Sequence, residues 1–286
     1  MKQIPIVAVL FLGCVSTAGP TLATDQVSLT QELKVRPISQ FEVEKLPHAT
    51  ILWSPDFKDD MGLRYRTRAA LIFDFELLGW QVPAETWRRL GDIRIVVSPK
   101  TEGWAAERLP SKGRGSGFSN SATWLRNNGF DAEREGAIQI YNATDFLTNK
   151  PVFPMVMVHE LTHRLQYLAA QIEPPAPIVG RMRDLYKRAL DSGKGNKLAH
   201  VLSPQGDPKP APWLNSDWRE YFANLAEAFF GRDQYYPFTR DDLMSYDREA
   251  CEAVAELWAT PCTSRVPLGQ VENAVRGAAS PSHRAR

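Results

Sequence analysis

The sequence predicts an α+β chain, mainly helical, with a small sheet beside one central helix. Three observations predict it. Residues 151–173, PVFPMVMVHELTHRLQYLAAQIE, carry apolar residues at helical spacing, with no glycine or proline between Pro154 and Pro174. Residues 216–231, SDWREYFANLAEAFFG, repeat that spacing behind an aspartate suited to an N-cap. Two short strands are expected before the central helix. In DIRIVVS at 92–98, Ile93, Ile95 and Val97 alternate with outward positions, and GAIQIYN at 136–142 is a similar short run.

In chain order, Lys2, an apolar run from Ile4 to Leu12 and small residues up to Ala23 form the pattern of an export signal cleaved after Ala23. Lipid attachment at Cys14 is the alternative. The apolar run is too short to span a membrane. The 286 residues are 43% hydrophobic, enough for one large core, and net charge is +1. Without residues 1–23, 33 basic groups face 33 acidic ones, which gives no reason to expect nucleic acid or an anionic membrane as partner. A monomer, secreted or periplasmic, is the expectation.

Residues 24–62, broken by Pro37, Pro47 and Pro55, read as an extended lead-in with room for one short strand or helix, and the domain is placed at 63–262. Helices are expected at 63–78, with Arg64, Arg66 and Arg68 solvated, and at 84–90, each ended by a glycine. The Gly- and Ser-rich run 101–128 lacks a GK[ST] ending, so it reads as a surface loop rimming a cleft, not a phosphate cradle. Asn142 begins a glycosylation sequon. Further helices are expected at 178–190 and, after a Thr-x-x-Asp cap, at 239–258, and 263–286 reads as a disordered tail.

Export leaves two cysteines, Cys251 and Cys262, and an oxidising compartment favours a disulfide between them. A helix running from Cys251 to Ala259 would carry the chain roughly 12 Å away. Three residues at about 3.5 Å each must then bring it back, so a sharp reversal at Pro261 is required.

The chemistry centres on His159, Glu160, Leu161, Thr162 and His163. Histidines at i and i+4 on a helix lie about 40° apart in projection and can reach one ion, with the intervening glutamate beside it. Zinc suits neutral imidazole, and a carboxylate next to a water activated by zinc can take its proton. A catalytic site of this kind needs a third protein ligand. A glycine and a histidine following His163 would supply one, but those positions hold Gln166 and Ala169. His200 is the plausible histidine, and the helix at 216–231 offers Glu220 and Glu227 on a narrow polar face with Asn224. Glu220 could equally complete a capping box with Asp217.

HELTH followed by EYFAN…AEAFF resembles the gluzincin zinc metallopeptidases, most closely the anthrax lethal factor-like peptidase domain. The resemblance spans roughly 63–258 and is specific only in those two strings. It implies a zincin-like fold, one Zn2+ per chain held by His159, His163 and Glu220, Glu160 as catalytic base, and a peptide or protein substrate. It also implies an orienting role for Asn224 toward a ligand histidine, and an edge strand, matched by GAIQIYN, that pairs with the substrate backbone. The chain departs from that family where a transition-state tyrosine is expected: none lies between Tyr186 and Tyr221, where Trp213 and Trp218 stand, leaving Tyr235 or Tyr236. A catalytically inactive zinc-binding secreted protein and a zinc hydrolase of a non-peptide bond are the alternatives to an endopeptidase.

Overall fold

Strand β2, Ala49–Trp53, is buried at all five positions, the pattern of a strand covered on both faces. It runs parallel to β3, Ile93–Val97, with Ile51 opposite Ile95. β3 is parallel in turn to β5, Ile138–Ile140. Strand β1, Glu42–Lys45, lies antiparallel on β2, and β4, Ser116–Phe118, lies antiparallel on β5, giving the order β1-β2-β3-β5-β4. The structure, a computed structural model, describes residues 36–101, 115–194, 198–204 and 216–263. These residues lie within one unit, Leu33–Arg286. The export signal, Cys14, residues 102–114, Trp213 and the expected tail beyond residue 263 fall outside the described residues.

Two expectations change here. The stretch read as a lead-in supplies two strands of the sheet, because ATILW has nowhere to bury its side chains except the centre of that sheet. Among the described residues the edge strand at the far side is β4, from within the expected loop, and β5 is interior. β1 protects the other edge with charge. Its Glu42 and Glu44 pair with Arg64 and Arg68 of helix α1, Met61–Gly79, so those two arginines are engaged and not merely solvated.

Helix α2, Ala84–Leu90, closes at Gly91, whose φ of 63° suits glycine. After β4 come α3, Ala122–Asn127, and α4, Ala143–Asn149; the sequon residue Asn142 caps α4, accepting from the Thr144 and Asp145 N–H groups. The central helix α5, Val156–Gln171, begins after Pro154, with Met155 at its N-cap. Helix α6, Pro177–Asp191, follows, then α7, Trp218–Phe230, capped by Asp217 through the Arg219 N–H. The helix expected at 239–258 is two, α8 at Arg240–Tyr246 and α9 at Arg248–Leu257, because Asp247 ends the first and caps the second. The Thr239–Asp242 capping box forms as expected.

Cys251 and Cys262 are bonded, with their Cα atoms 6.1 Å apart. The reversal falls at Ala259, φ 49°, not at Pro261. There the Ala259 and Thr260 N–H groups reach back to the Glu256 and Ala255 carbonyls, a Schellman closure with alanine in the place glycine usually takes.

Two anchors fix α5. On its core side, the Thr162 hydroxyl donates to the Val158 carbonyl at 2.7 Å and accepts from the Trp258 indole at 3.2 Å. On the sheet side, the Arg164 guanidinium donates to the carbonyls of Leu90, Gly136 and Asp92 at 2.8, 2.6 and 3.0 Å. The residues flanking His163 thus tie the helix to two places, Arg164 to the chain entering β3 and β5 and Thr162 to Trp258 beyond α9. Among the described residues, no helix is long and apolar enough to cross a membrane.

Candidate metal centre

Helices α5 and α7 pack together and bring His159, His163 and Glu220 to one point. His159 Nε2 and His163 Nε2 are 3.0 Å apart, and each is 3.3 Å from a different oxygen of Glu220. Two ligands about 2.05 Å from one ion at the tetrahedral angle would be about 3.3 Å apart, so the spacing suits zinc. Among the described residues this is the one group of three such donors.

The far sides of the rings decide which nitrogens are available. His159 Nδ1 is 3.0 Å from Glu227 Oε1, inside the protein, where Glu227 is fully buried. His163 Nδ1 is 3.2 Å from Gln166 Oε1, and the Gln166 amide nitrogen donates to the Arg219 carbonyl, which fixes which way the carboxamide faces. Both Nδ1 atoms therefore face acceptors and carry the ring proton in the neutral tautomer. Both Nε2 lone pairs then converge on a carboxylate. Three lone pairs at that spacing repel one another unless a cation lies among them, which is the fit a divalent metal requires. Burial pulls the Glu220 carboxyl upward; only where the two rings are protonated at Nε2 do hydrogen bonds and charge from His159 and His163 outweigh it and hold the carboxyl well below the usual carboxylate range.

Of the sequence candidates, Glu220 stands at the donors and its carboxylate faces the histidines. Asp217 caps α7 through the Arg219 N–H. Glu227, the alternative ligand, lies two turns along α7 and holds the opposite nitrogen of His159, so one imidazole spans two carboxylates of the same helix. The Asn224 side-chain amide donates to the Glu220 carbonyl at 2.7 Å, while Glu227 and Gln166 face the ring nitrogens. His200 is elsewhere, its Nδ1 accepting from the Leu202 N–H and its ring against Tyr235. Tyr236 packs on Phe238 and Tyr246, so neither candidate tyrosine lines the cleft. The Trp218 ring meets the guanidinium groups of both Arg183 and Arg219.

Beside the donors opens a cleft of about 750 Å³. Glu160 lines it, and its Oε1 accepts a hydrogen bond from the Ser116 hydroxyl of β4 at 3.0 Å. Gly115 makes that contact possible. Its φ is 72°, and a Cβ there would lie 2.9 Å from the Phe146 nitrogen and 3.1 Å from the Asn142 oxygen, so only glycine passes α4 this closely. Behind β4, the Tyr141 phenol is pushed up to about 12 by burial, with the charge of Glu160 adding to the shift. It stays protonated.

Sequence reasoning missed Ser116, Gln166 and the outer role of Glu227. Only Gln166 left a signal, since it lies three residues beyond His163 on the same helix face. Family models, curated proteins and solved structures gave no match to this chain.

Proposed function

We propose that the chain is an exported zinc endopeptidase of the gluzincin type, with a zincin-like domain, one Zn2+ per chain and a peptide or protein substrate. The observation that carries this reading is the convergence of His159 Nε2, His163 Nε2 and the Glu220 carboxylate within 3.0–3.3 Å, beside Glu160 in an open cleft. Zinc, when bound, supplies a Lewis acid for a carbonyl oxygen and lowers the pKa of water to about 7. His159 and His163 each offer a lone pair because Glu227 and Gln166 hold the ring protons on the other side. Glu160, with Oε1 held by Ser116, has its second oxygen to accept a proton from the attacking water and return it to the departing amine. β4 is the edge strand of the sheet and lines the cleft, so its outer backbone groups can pair with an extended peptide. Export is supported by the N-terminal pattern and by the Cys251–Cys262 bond, which suits an oxidising compartment.

The test is zinc content and hydrolysis of a mixed peptide library by purified residues 24–286. About one zinc per chain is expected, lost in His163→Ala. Glu160→Gln should keep the zinc and lose turnover. Hydrolysis surviving in Glu160→Gln would refute this role for the glutamate, and zinc binding without hydrolysis in the wild type would leave a catalytically silent zinc protein.

A further inference from the structure

Beyond the donors, the cleft continues between β4 and the C-terminal half of α5. We propose that this recess is a subsite for an aromatic or other bulky apolar side chain of an extended peptide, selected by Phe118 and Tyr167. The proposal rests on the reading that the cleft admits a peptide.

Glu160, His163, Tyr167 and Ala170 follow one another at helical spacing on one face of α5, and all four line the cleft. At 1.5 Å per residue, Tyr167 stands about 6 Å beyond His163 and Ala170 about 10 Å beyond. β4 runs alongside in the same sense. Ser116 bonds Glu160, and two residues later Phe118 packs edge-on against Tyr167, with ring centroids 5.9 Å apart at 60°. Gly117 faces the other way, since a Cβ on it would meet the Tyr141 ring at 3.2 Å. Two residues of strand cover about 6.7 Å. A side chain within two residues of a peptide bond held at the donors, on the side toward the end of α5, therefore reaches the aromatic pair.

The chemistry of the recess selects against charge. Its walls are two half-buried rings in an edge-to-face pair, an arrangement that leaves ring surface for a third aromatic group. Ala170 keeps the space beside them open. Asp217 and Arg219, at the start of α7, pair with each other at 3.1 Å, so that wall offers neither a lone anion for a lysine nor a lone cation for an aspartate. Exposed Asn120 and Gln171 supply amide groups suited to a peptide backbone.

The test uses zinc-loaded Glu160→Gln protein and blocked octapeptides of Ala, Ser and Gly carrying one Phe, Leu, Lys or Asp at successive positions, with affinity read by calorimetry. The best Phe peptide should bind about tenfold more tightly than the unsubstituted peptide, in line with burying a large apolar side chain, with Leu next and Lys and Asp at parity or below. Phe118→Ala removes one wall and Ala170→Trp fills the space, so each should bring the Phe preference close to one. Equal binding of Phe and unsubstituted peptides, a preference for Lys or Asp, binding of none, or an unchanged preference in both variants would overturn the subsite. Hydrolysis of the same peptides by wild-type protein separates the two ideas. Cleavage without Phe preference removes the subsite and keeps the peptidase, and Phe-selective binding without cleavage does the reverse.

Discussion

Glu227→Gln is the sharpest probe of how the centre is built. The substitution keeps the shape and an acceptor oxygen opposite His159 Nδ1, now 3.0 Å from a carboxylate oxygen, and removes only the charge. Both groups are buried, His159 at 3% and Glu227 at 0% exposure, so water cannot replace the lost attraction. Loss of a partner that orients a ligand histidine typically weakens a metal about 10–100-fold, or roughly 1.4–2.7 kcal/mol. The zinc dissociation constant, measured by competition with a chromogenic chelator at neutral pH, should rise by that factor. Because an ion bound to the folded chain stabilises it by mass action, the melting temperature at fixed free zinc should fall by about 3–10 °C relative to wild type. Unchanged affinity in a folded variant would refute the idea that Glu227 tunes His159. Loss of zinc as complete as in His159→Ala would make Glu227 a direct ligand and overturn the assignment of Glu220.

Gly115→Ala should destabilise the chain by about 2–4 kcal/mol in urea denaturation, since it adds a left-handed alanine to a collision with backbone atoms. Zinc binding should persist, because all three donors lie on α5 and α7, while turnover falls as Ser116 leaves Glu160. Replacing Cys251 and Cys262 with serine opens a loop of sequence separation 11 and should cost about 3 kcal/mol on the chain-entropy estimate, read as a lower urea midpoint in the unreduced protein. Asp74, paired with Lys150, is raised by burial from 3.8 to about 6, against the pull of the lysine. An acid raised on folding contributes stability that is complete below the unfolded value and lost as pH rises through the folded one. Wild type should therefore gain about 2.5 kcal/mol relative to Asp74→Asn between pH 7 and pH 3.8. A constant difference across that window would refute the assignment.

The helices that make the centre were legible because a period of 3.6 is written in side chains: HELTH sits in an apolar helix, and Glu220, Asn224 and Glu227 mark one face of another. Choosing between Glu220 and Glu227 was not possible from that face alone. The choice depends on how far α7 is shifted along α5, a matter of interface packing with no local signal. β4 was hidden for a different reason. Ser116–Phe118 has no β-branched residue and only three positions, and it becomes a strand because β5 offers an edge and Gly115 lets the chain approach. ATILW did carry a signal, a short apolar run between Pro47 and Pro55, but its flanking polar residues masked a strand buried on both faces. The helix break at Asp247 shows the limit of periodicity, since a capping aspartate can interrupt a pattern that the apolar residues continue.

Arg164 and Thr162 hold α5 in place without help from an ion, and Gln166 holds α7 to it through the Arg219 carbonyl. The donors are thus pre-assembled by the fold, unlike those of a zinc finger, whose chain collapses around its metal. A chelator should strip such a centre and leave a native, dormant protein that recovers when metal returns. If the chain is the exported peptidase proposed above, metal supply after export would set when it becomes active, with no refolding step in between.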